Sequence, residues 1–335
     1  MTRSEEDKKL IKMQVLVLLA GLLLLGSKFI AYLLTHSNTI LTDALESIIN
    51  VVAGAFALYS LYLSSKPKDE DHPYGHGKVE FISAGFEGTL IVVAGFLIII
   101  KSIFAFFEPR TLEHLDIGIG IVVLSGIVNF FLGVWMVKTA EKQNSLTLKA
   151  DGEHLKSDAY SSFGILGGLG LIMLTKLNYL DNVVAIIFGG IIIYTGVKLI
   201  RKSLRGIMDE ADLTTIQAII DVLNRNRKNA WIDVHNLRII QYGSRLHIDC
   251  HVTLPWYYTL EQAHEEIEEI ARSINEFNGG TVEFFIHEDP CLPSSCKICT
   301  IADCKVRKEE FKGRIEWNLE NVMKNKRHGL MDEAG

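Results

Sequence analysis

Several features are missing from this sequence of 335 residues, and each absence narrows the class of protein. The chain has no basic stripe and no nucleic-acid-binding motif, so no nucleic acid partner is expected. It also lacks a His-Glu-x-x-His zinc-protease motif and a recognisable nucleophile motif, so the sequence does not indicate a membrane hydrolase or another enzyme. All five cysteines lie after residue 249, and the preceding part of the chain has none.

Long apolar runs are what the sequence has instead. They fill the chain from Ile11 to Ile200, whereas the part after Arg201 has the composition of a soluble domain. A run of about 20 apolar residues is long enough to span a bilayer as a helix. Its length, and the lack of a small-residue cleavage site after it, distinguish the first run from a cleaved signal peptide. We therefore expect six transmembrane helices in a lipid bilayer, near residues 12–34, 41–64, 81–107, 115–138, 146–175 and 181–200.

Lysine and arginine are concentrated in alternate polar segments. The N-terminal segment, the loops after the second and fourth helices and the segment after the sixth are rich in them, and the other loops are poor. The positive-inside rule then places both termini in the cytoplasm. A multi-pass protein of a cell inner membrane or plasma membrane is expected. Because the cysteines then lie in a reducing compartment, metal binding or redox sensing is favoured over structural disulfides.

Two of the predicted helices carry pairs of polar residues four positions apart. Glu46 and Asn50 lie in the second helix, and His154 and Asp158 lie in the fifth. Residues at i and i+4 share a helix face, and a charge at bilayer depth costs about 2.5–3.5 kcal/mol on insertion scales. Oxygen ligands with one imidazole suit a divalent cation. Hydrogen bonding between helices is the alternative, but two matched pairs with two acids and a histidine favour a metal site.

The loop after the second helix contains a second candidate motif. In "KDEDHPYGHGK", Asp69, His72 and His76 lie within eight residues, in a stretch with proline and glycine. An acid with His-x3-His is a fair metal motif, and a solvated turn without a ligand is the alternative.

The part after the sixth helix predicts a small α+β sandwich with the order α-β-β-α-β. Its segments are "TTIQAIIDVLNRN", "WIDVHNLRIIQ", "SRLHIDCHVTL", "LEQAHEEIEEIARSINEF" and "TVEFFIHEDP". The second of the strands alternates apolar residues with His247, Asp249 and His251, so one face of the sheet is polar.

The C-terminal segment begins with a cluster of cysteines. "CLPSSCKICTIADC" places Cys291, Cys296, Cys299 and Cys304 in a C-x4-C-x2-C-x4-C pattern. A four-thiolate zinc site and an iron–sulfur cluster both need four cysteines, and a free-thiol loop is the alternative. So compact a loop favours a single Zn²⁺. Further along, apolar residues at helical spacing predict a helix that packs on the body of the protein or on a partner chain; they are Phe311, Ile315, Leu319, Val322 and Met323.

These motifs together resemble the cation diffusion facilitators, a family of divalent-metal/proton exchangers. The resemblance covers residues 10–291 and rests on "DEDHPYGHGKVE", "HLKSD" and "HEDPC", which also match the subgroup of bacterial zinc and ferrous-iron efflux dimers. It implies a homodimer with a six-helix transmembrane domain and a cytoplasmic ferredoxin-like domain. The domains expected are 1–205 for transport, 206–290 for cytoplasmic metal binding, and 291–335 for a Cys-rich extension with a helix.

The resemblance also implies roles for particular residues. The transport site falls on Glu46, Asn50, His154 and Asp158. A peripheral metal site falls on Asp69, His72 and His76. The cytoplasmic zinc ligands, which bridge the two domains of a dimer, fall on His235, His251, His264, His287 and Asp289. A charge pair near the dimer axis falls on Lys78 and Asp209.

The transport site departs from the family at two positions. The family commonly has His or Asp where this chain has Glu46, and Asp where it has Asn50. A neutral amide is a weak zinc ligand, and an oxygen-rich site suits Mn²⁺ or Fe²⁺ better. Zn²⁺ is nevertheless the first expectation as transported substrate and as structural or regulatory ion, with Mn²⁺ or Fe²⁺ next.

The expected function is efflux of a divalent transition metal by alternating access, in exchange for protons. Asp158 and Glu46 are the expected metal–proton switch, since a protonated ligand cannot hold metal, and His154 is an auxiliary proton acceptor. The alternative is a membrane-bound metal sensor that does not transport. The ligand pairs at bilayer depth disfavour it, because a sensor needs no metal there.

Overall fold

A computed structural model of the protein shows a chain that forms two compact units, Met1–Met208 and Asp209–Gly335. The residues that the structure describes are 5–35, 38–107, 115–143, 145–175, 179–243, 245–277 and 282–328, with side chains at most but not all helical positions.

Long helices make up the first unit, and each overlaps a predicted transmembrane helix. They are α1 (Glu5–Thr35), α2 (Asn38–Ser64), α3 (Val79–Phe107), α4 (Leu115–Gln143), α5 (Leu146–Thr175) and α6 (Tyr179–Ile207). Among the described residues, Asp7–Ile30, Val79–Phe104 and Val123–Gln143 are long and apolar enough to cross a membrane. The shorter Asn50–Ser64 segment of α2 is also apolar. The predicted fold class, a helical transmembrane domain followed by a small α+β domain, is confirmed.

Helices α3 and α6 pack backbone against backbone at two pairs of facing glycines. A Cβ added at Gly95 or Gly189 would lie 2.9 or 3.1 Å from the carbonyl oxygen of the facing glycine. At Gly88 and Gly196 the corresponding distances are 3.0 and 2.8 Å. Between apolar helices in a lipid environment, close approach at small residues is a main source of packing energy. The absence of side chains at these four positions therefore determines how closely the two helices pack.

A buried carboxylate joins the start of α3 to the start of α5. One oxygen of Glu80 accepts hydrogen bonds from the Ser145 hydroxyl at 2.8 Å and from the Thr147 amide at 3.4 Å. The first turn of a helix has N–H groups without intrahelical partners and the positive end of the helix dipole. The Glu80 carboxylate accepts from an N–H group of this first turn and places its charge near the positive end of the dipole. It thereby fixes the end of α5 that precedes His154 and Asp158.

The second unit has the predicted α-β-β-α-β order. Its elements are α7 (Leu213–Asn226), β1 (Asp233–Tyr242), β2 (Arg245–Leu254), α8 (Leu260–Phe277) and β3 (Val282–Pro290). The sheet order is β1-β2-β3, with β1 antiparallel and β3 parallel to β2. Apolar residues of both helices and of the sheet form one core that includes Ile216, Ile220, Ile248 and Ile270.

The helix predicted for the tail is wrong over most of its length. Within the described part of that segment, the only α-helix is the single turn α9 (Leu319–Val322). The preceding backbone finds partners elsewhere, because the amides of Lys312 and Gly313 both donate to the carbonyl oxygen of Lys297. Arg227, which follows α7, also donates to the carbonyl oxygen of Ile315, at 2.5 Å.

The apolar stripe of the tail nevertheless packs partly as expected. Leu319, Val322 and Met323 contact the core of the second unit, whereas Phe311 is exposed. Trp317, which the stripe did not include, is only 2 % exposed and also belongs to that core.

Candidate metal sites

Three of the four residues predicted for transport lie together inside the helical unit. Asn50 of α2 donates from Nδ2 to Asp158 Oδ2 at 2.5 Å, and its Oδ1 lies 3.1 Å from His154 Nε2. His154 Nε2 lies 3.9 Å from Asp158 Oδ2, and His154 is only 4 % exposed. Glu46 lies one helical turn before Asn50 in α2, but its side chain is outside the described residues. The fold thus brings Asn50 of α2 next to the i, i+4 pair His154 and Asp158 of α5.

The separations in this cluster fit a divalent cation. Ligand bonds of about 2.0–2.2 Å in a tetrahedral site put ligand atoms roughly 3.3–3.6 Å apart. The separations of His154 Nε2 from Asn50 Oδ1 and Asp158 Oδ2, 3.1 and 3.9 Å, lie on either side of that range. A cation entering here would have to replace the Asn50–Asp158 hydrogen bond.

A second polar layer, which was not predicted from the sequence, lies next to this cluster. Gln14 of α1 donates to Asp151 Oδ2 at 2.6 Å and to the carbonyl oxygen of Gly54 at 3.2 Å. Asp151 lies three residues before His154, so its position on the same face of α5 was a usable signal. Glu87 of α3 is completely buried, and neither of its carboxylate oxygens has a hydrogen-bond partner among the described residues.

A small cavity lies beside the cluster and reaches α1. Its lining includes Lys28, Ser47, Asn50 and Asp151. Lys28 is itself buried and donates from Nζ to the Ser47 hydroxyl at 2.8 Å. Lys28, a charged residue within the apolar run of α1, therefore belongs to the polar interior next to the predicted transport site.

The loop motif after α2 closes into a compact group. Asp69 Oδ1 lies 3.1 Å from His72 Nδ1, and Asp69 Oδ2 lies 3.3 Å from His76 Nε2. The His72 amide also donates to Asp69 Oδ1 at 2.7 Å, which fixes the turn. One ligand atom from each residue lies within 4.8 Å of the other two, a spacing that could hold a metal ion.

Neighbouring strands of the sheet bring a second group together. His235 of β1 pairs with His251 of β2, which pairs with His287 of β3. Asp289 Oδ2 lies 3.3 Å from His235 Nε2 and 3.2 Å from His251 Nδ1. We call His235, His251 and Asp289 the sheet cluster; its N···O separations match the edge of a tetrahedral site with bonds of about 2.0–2.2 Å.

The other two residues predicted for this site lie further out. His287 Nδ1 is 3.5 Å from Asp289 Oδ1, and its ring centroid is 4.7 Å from that of His251. His264 is outside the sheet cluster, on the exposed face of α8, where it pairs with Glu268 at 3.4 Å.

Two tail residues that were not predicted from the sequence lie against the sheet cluster. Arg327 Nη2 is 2.7 Å from Asp289 Oδ1, and His328 Nδ1 is 2.5 Å from Asp233 Oδ1. Asp233 Oδ2 in turn lies 3.5 Å from His235 Nδ1. Burial alone would raise the pKa of the Asp233 carboxyl, but the nearby His235 imidazole and the hydrogen bonds from His328 hold it well below its usual range. For Asp289, hydrogen bonds from Arg327 and His251 likewise outweigh burial and lower the pKa.

The cysteines of the tail are all free thiols in an irregular segment. The Trp256 amide donates to Cys291 Sγ at 3.4 Å, and the Lys308 amide to Cys296 Sγ at 3.5 Å. Burial raises the pKa of the thiols of Cys291 and Cys299. All four cysteines are among the described residues, and no three of their sulfur atoms lie within 4.8 Å of one another. The predicted four-thiolate site therefore needs the loop to contract.

The two residues of the predicted charge pair lie in different units. Lys78 immediately precedes α3 in the first unit, and Asp209 is the first residue of the second unit. Asp209 has a φ of 55°, a left-handed conformation that is uncommon for a residue with a side chain. The pairing of Lys78 with Asp209 stays a prediction.

Comparisons with known proteins cover both units. Residues 14–208 match the model of the cation efflux transmembrane domain, and residues 211–291 match that of the cation efflux protein cytoplasmic domain. An uncharacterised transporter from Synechocystis is 32 % identical over 78 % of this chain and 84 % of its own length. The manganese efflux system protein MneP from Bacillus subtilis is 26 % identical over 86 % of this chain and 98 % of its own. The cation-efflux pump FieF from Serratia proteamaculans is 28 % identical, with coverages of 82 % and 90 %.

Proposed function

This chain belongs to the cation diffusion facilitator family of cation efflux transporters, and from that premise we propose that it exchanges a divalent transition metal for protons. The observation that carries the proposal is the cluster of Asn50, His154 and Asp158 inside the helical unit. Three ligand-capable side chains from two helices meet there, at separations of 3.1 and 3.9 Å that lie on either side of the tetrahedral range. Glu46, one turn from Asn50, is the proposed fourth ligand.

The hydrogen bonds of the cluster indicate how metal and protons would compete. Two contacts in the cluster use atoms that a metal would bind. Asn50 Nδ2 contacts Asp158 Oδ2, and His154 Nε2 contacts Asn50 Oδ1. A cation from the cytoplasm replaces these contacts. Protonation of Asp158, Glu46 or His154 on the outer side then removes ligand lone pairs and releases the ion.

The ligand set supports Zn²⁺ as the first proposed substrate, with Mn²⁺ and Fe²⁺ next. One imidazole suits zinc, whereas the amide and carboxylate oxygens suit harder ions. The names of the relatives are consistent with this range, because one is a manganese efflux protein and another is a general cation-efflux pump.

The test is uptake by proteoliposomes with Zn²⁺, Mn²⁺, Fe²⁺, Co²⁺ and Cd²⁺ under an imposed proton gradient. We expect metal entry that dissipates the gradient, with saturation by the preferred ion. Metal binding without movement of metal or protons would instead support the alternative, a membrane-bound sensor.

We also propose that the chain works as a homodimer in an inner or plasma membrane with both termini in the cytoplasm. The match to the cytoplasmic domain of cation efflux proteins supports this arrangement. The loop group of Asp69, His72 and His76 is then a peripheral metal site, and Lys78 and Asp209 form a charge pair near the dimer axis. Mass measurement of the purified protein in lipid nanodiscs tests the dimer.

Restoring the third carboxylate should change metal selectivity. We expect Asn50→Asp to bind divalent cations at least about tenfold more tightly, because a charged ligand replaces a neutral amide that zinc binds weakly. The gain should be larger for Zn²⁺ than for Mn²⁺. Competition between the two ions during proteoliposome uptake measures the ranking. If the ranking and both affinities match those of the wild type, Asn50 is not a ligand, and Asp43, the other acid of α2 beside Glu46, becomes the candidate.

We propose that the four tail thiols hold one Zn²⁺ independently of transport. The bonds from the Trp256 and Lys308 amides to two of the sulfur atoms support this, since such donors stabilise a ligating thiolate. Cys296→Ser with Cys299→Ser should then lower the metal content of the full chain by about one ion per protein. Metal analysis and visible absorption without oxygen measure it, with Cys250→Ala as control. Equal metal content in variant and wild type would show that the segment contains only free thiols. A brown colour would indicate an iron–sulfur cluster.

A further inference from the structure

The last described residues of the chain lie on the sheet cluster. The Asn236 amide donates to the carbonyl oxygen of Lys324 at 2.9 Å, and the His328 amide donates to Asp233 Oδ2 at 3.0 Å. Arg327 Nη1 reaches the carbonyl oxygen of Pro290 at 3.1 Å, beside its ion pair with Asp289. Residues 324–328, which we call the latch, are therefore docked by backbone and side-chain bonds on both edges of the cluster.

Arg327 and an incoming metal ion need the same carboxylate. One oxygen of Asp289 faces His235 and His251, the geometry that a metal would use, and the other oxygen is held by Arg327. We propose that Arg327 is the resident cation of the sheet cluster, and that a divalent metal binding to His235, His251 and Asp289 displaces the latch. The family model ends at residue 291, so the latch lies outside the matched domain. The inference rests on metal binding by the sheet cluster and not on transport.

Charge decides the direction of this effect. A metal on Asp289 Oδ2 would lie roughly 4–5 Å from the guanidinium group, given metal–oxygen bonds of about 2 Å. At that distance and an effective dielectric constant of about 20, repulsion by Arg327 would weaken metal binding by a factor of hundreds for each unit of charge on the metal. Solvent reduces it, because the Arg327 side chain is 31 % exposed. Orientation of Asp289 by Arg327 would favour metal by about 10–100-fold, which is less than the repulsion from a doubly charged ion.

Coupling of this kind is reciprocal. If the docked latch weakens metal binding, bound metal must weaken latch docking by the same factor. Metal in the cytoplasm would thus release residues 324–328 from β1 and β3, while Val322 stays in the core. The position of the latch then depends on the cytoplasmic metal concentration, and Arg327 determines the concentration at which the latch is released.

The experiment measures Zn²⁺ binding to the full-length protein by competition with a chromophoric chelator. All proteins carry Asp158→Ala and His72→Ala, which remove metal binding at the two sites of the helical unit. The binding step that is lost when His251→Ala is added to this background is assigned to the sheet cluster. We expect Arg327→Ala to tighten this step at least tenfold and Arg327→Lys to leave it near the wild-type value. Lys326→Ala removes the neighbouring charge and should change it less than about twofold.

Hydrogen exchange in the wild-type chain gives a second readout that does not depend on the folding of a variant. Amides of residues 324–328 should exchange faster when Zn²⁺ is added, and this change should vanish in His251→Ala. Weaker binding in Arg327→Ala, or slower exchange with Zn²⁺, would show that Arg327 positions Asp289 for metal and would overturn the proposal. Equal affinities would also overturn it, and absence of the binding step in every variant would remove the cluster itself while leaving transport untouched.

Discussion

Asp158→Ala is expected to abolish metal transport in proteoliposomes while the protein remains folded. Asp158 is the carboxylate in the cluster whose contact with Asn50 a metal must replace, and its side chain is partly exposed. Losing a charged ligand from a four-ligand site should reduce transport by at least about a hundredfold, because the remaining ligands include a weakly binding amide. Initial rates of Zn²⁺ and Mn²⁺ uptake under a proton gradient are the measurement.

The control for this substitution is Glu141→Ala. Glu141 is an exposed acid near the end of α4 that pairs with Lys149, and its removal deletes a carboxylate of the same unit without touching the cluster. It should transport at close to the wild-type rate. Normal uptake by Asp158→Ala would remove the proposed transport site, whereas loss of uptake in both variants would point to a general charge effect.

The close contact of α3 and α6 predicts a large structural effect of a single methyl group. At Gly196 an added Cβ would lie 2.8 Å from the carbonyl oxygen of Gly88 and 3.0 Å from the amide nitrogen of Val92, and neither backbone atom can rotate away. Overpacking of this kind costs about 1–3 kcal/mol. We expect Gly196→Ala to lower the thermal stability of the full chain in detergent, and Gly189→Ala added to it to lower stability further.

The same helix provides a matched control. A Cβ at Gly190 would meet no heavy atom of another residue within 4 Å, so Gly190→Ala should be neutral or slightly stabilising. Thermal unfolding of the wild type and of the glycine variants under identical detergent conditions compares the effects of the two positions. If Gly196→Ala and Gly190→Ala unfold at the same temperature, the two helices do not approach as closely as described.

The sequence predicted the elements of the fold because their signals are local. Apolar runs of membrane-spanning length marked the six helices, and alternation in β2 marked a buried face that includes Ile248 and Val252. The spacing of Asn50, His154 and Asp158 predicted which helix faces must meet, and those side chains do meet. The signals themselves lie within single elements, as do the i, i+4 pairs of α2 and of α5.

What the sequence did not reveal depends on contacts between distant positions. Gln14 and Asp151 are 137 residues apart, and nothing near Gln14 indicates its partner. Arg327 looks like one basic residue in a basic tail until the fold brings it to Asp289. The predicted tail helix failed for the same reason, since Lys297 and Arg227 offer its backbone bonds that helical spacing does not show.

Trp317 bears on how the second unit can be produced as a fragment. Its indole lies under the Arg227 guanidinium, 3.7 Å from the ring centroid, and its carbonyl oxygen accepts from Asn224 at 2.8 Å. A fragment trimmed to the matched region 211–291 would lack this residue and Val322, leaving a void between α7 and the sheet. Emptying the space of a buried tryptophan costs about 3–5 kcal/mol, a large fraction of the stability of a small domain. Fragments for crystallisation or binding studies should therefore extend through residue 328, and the tail should be probed by point substitution.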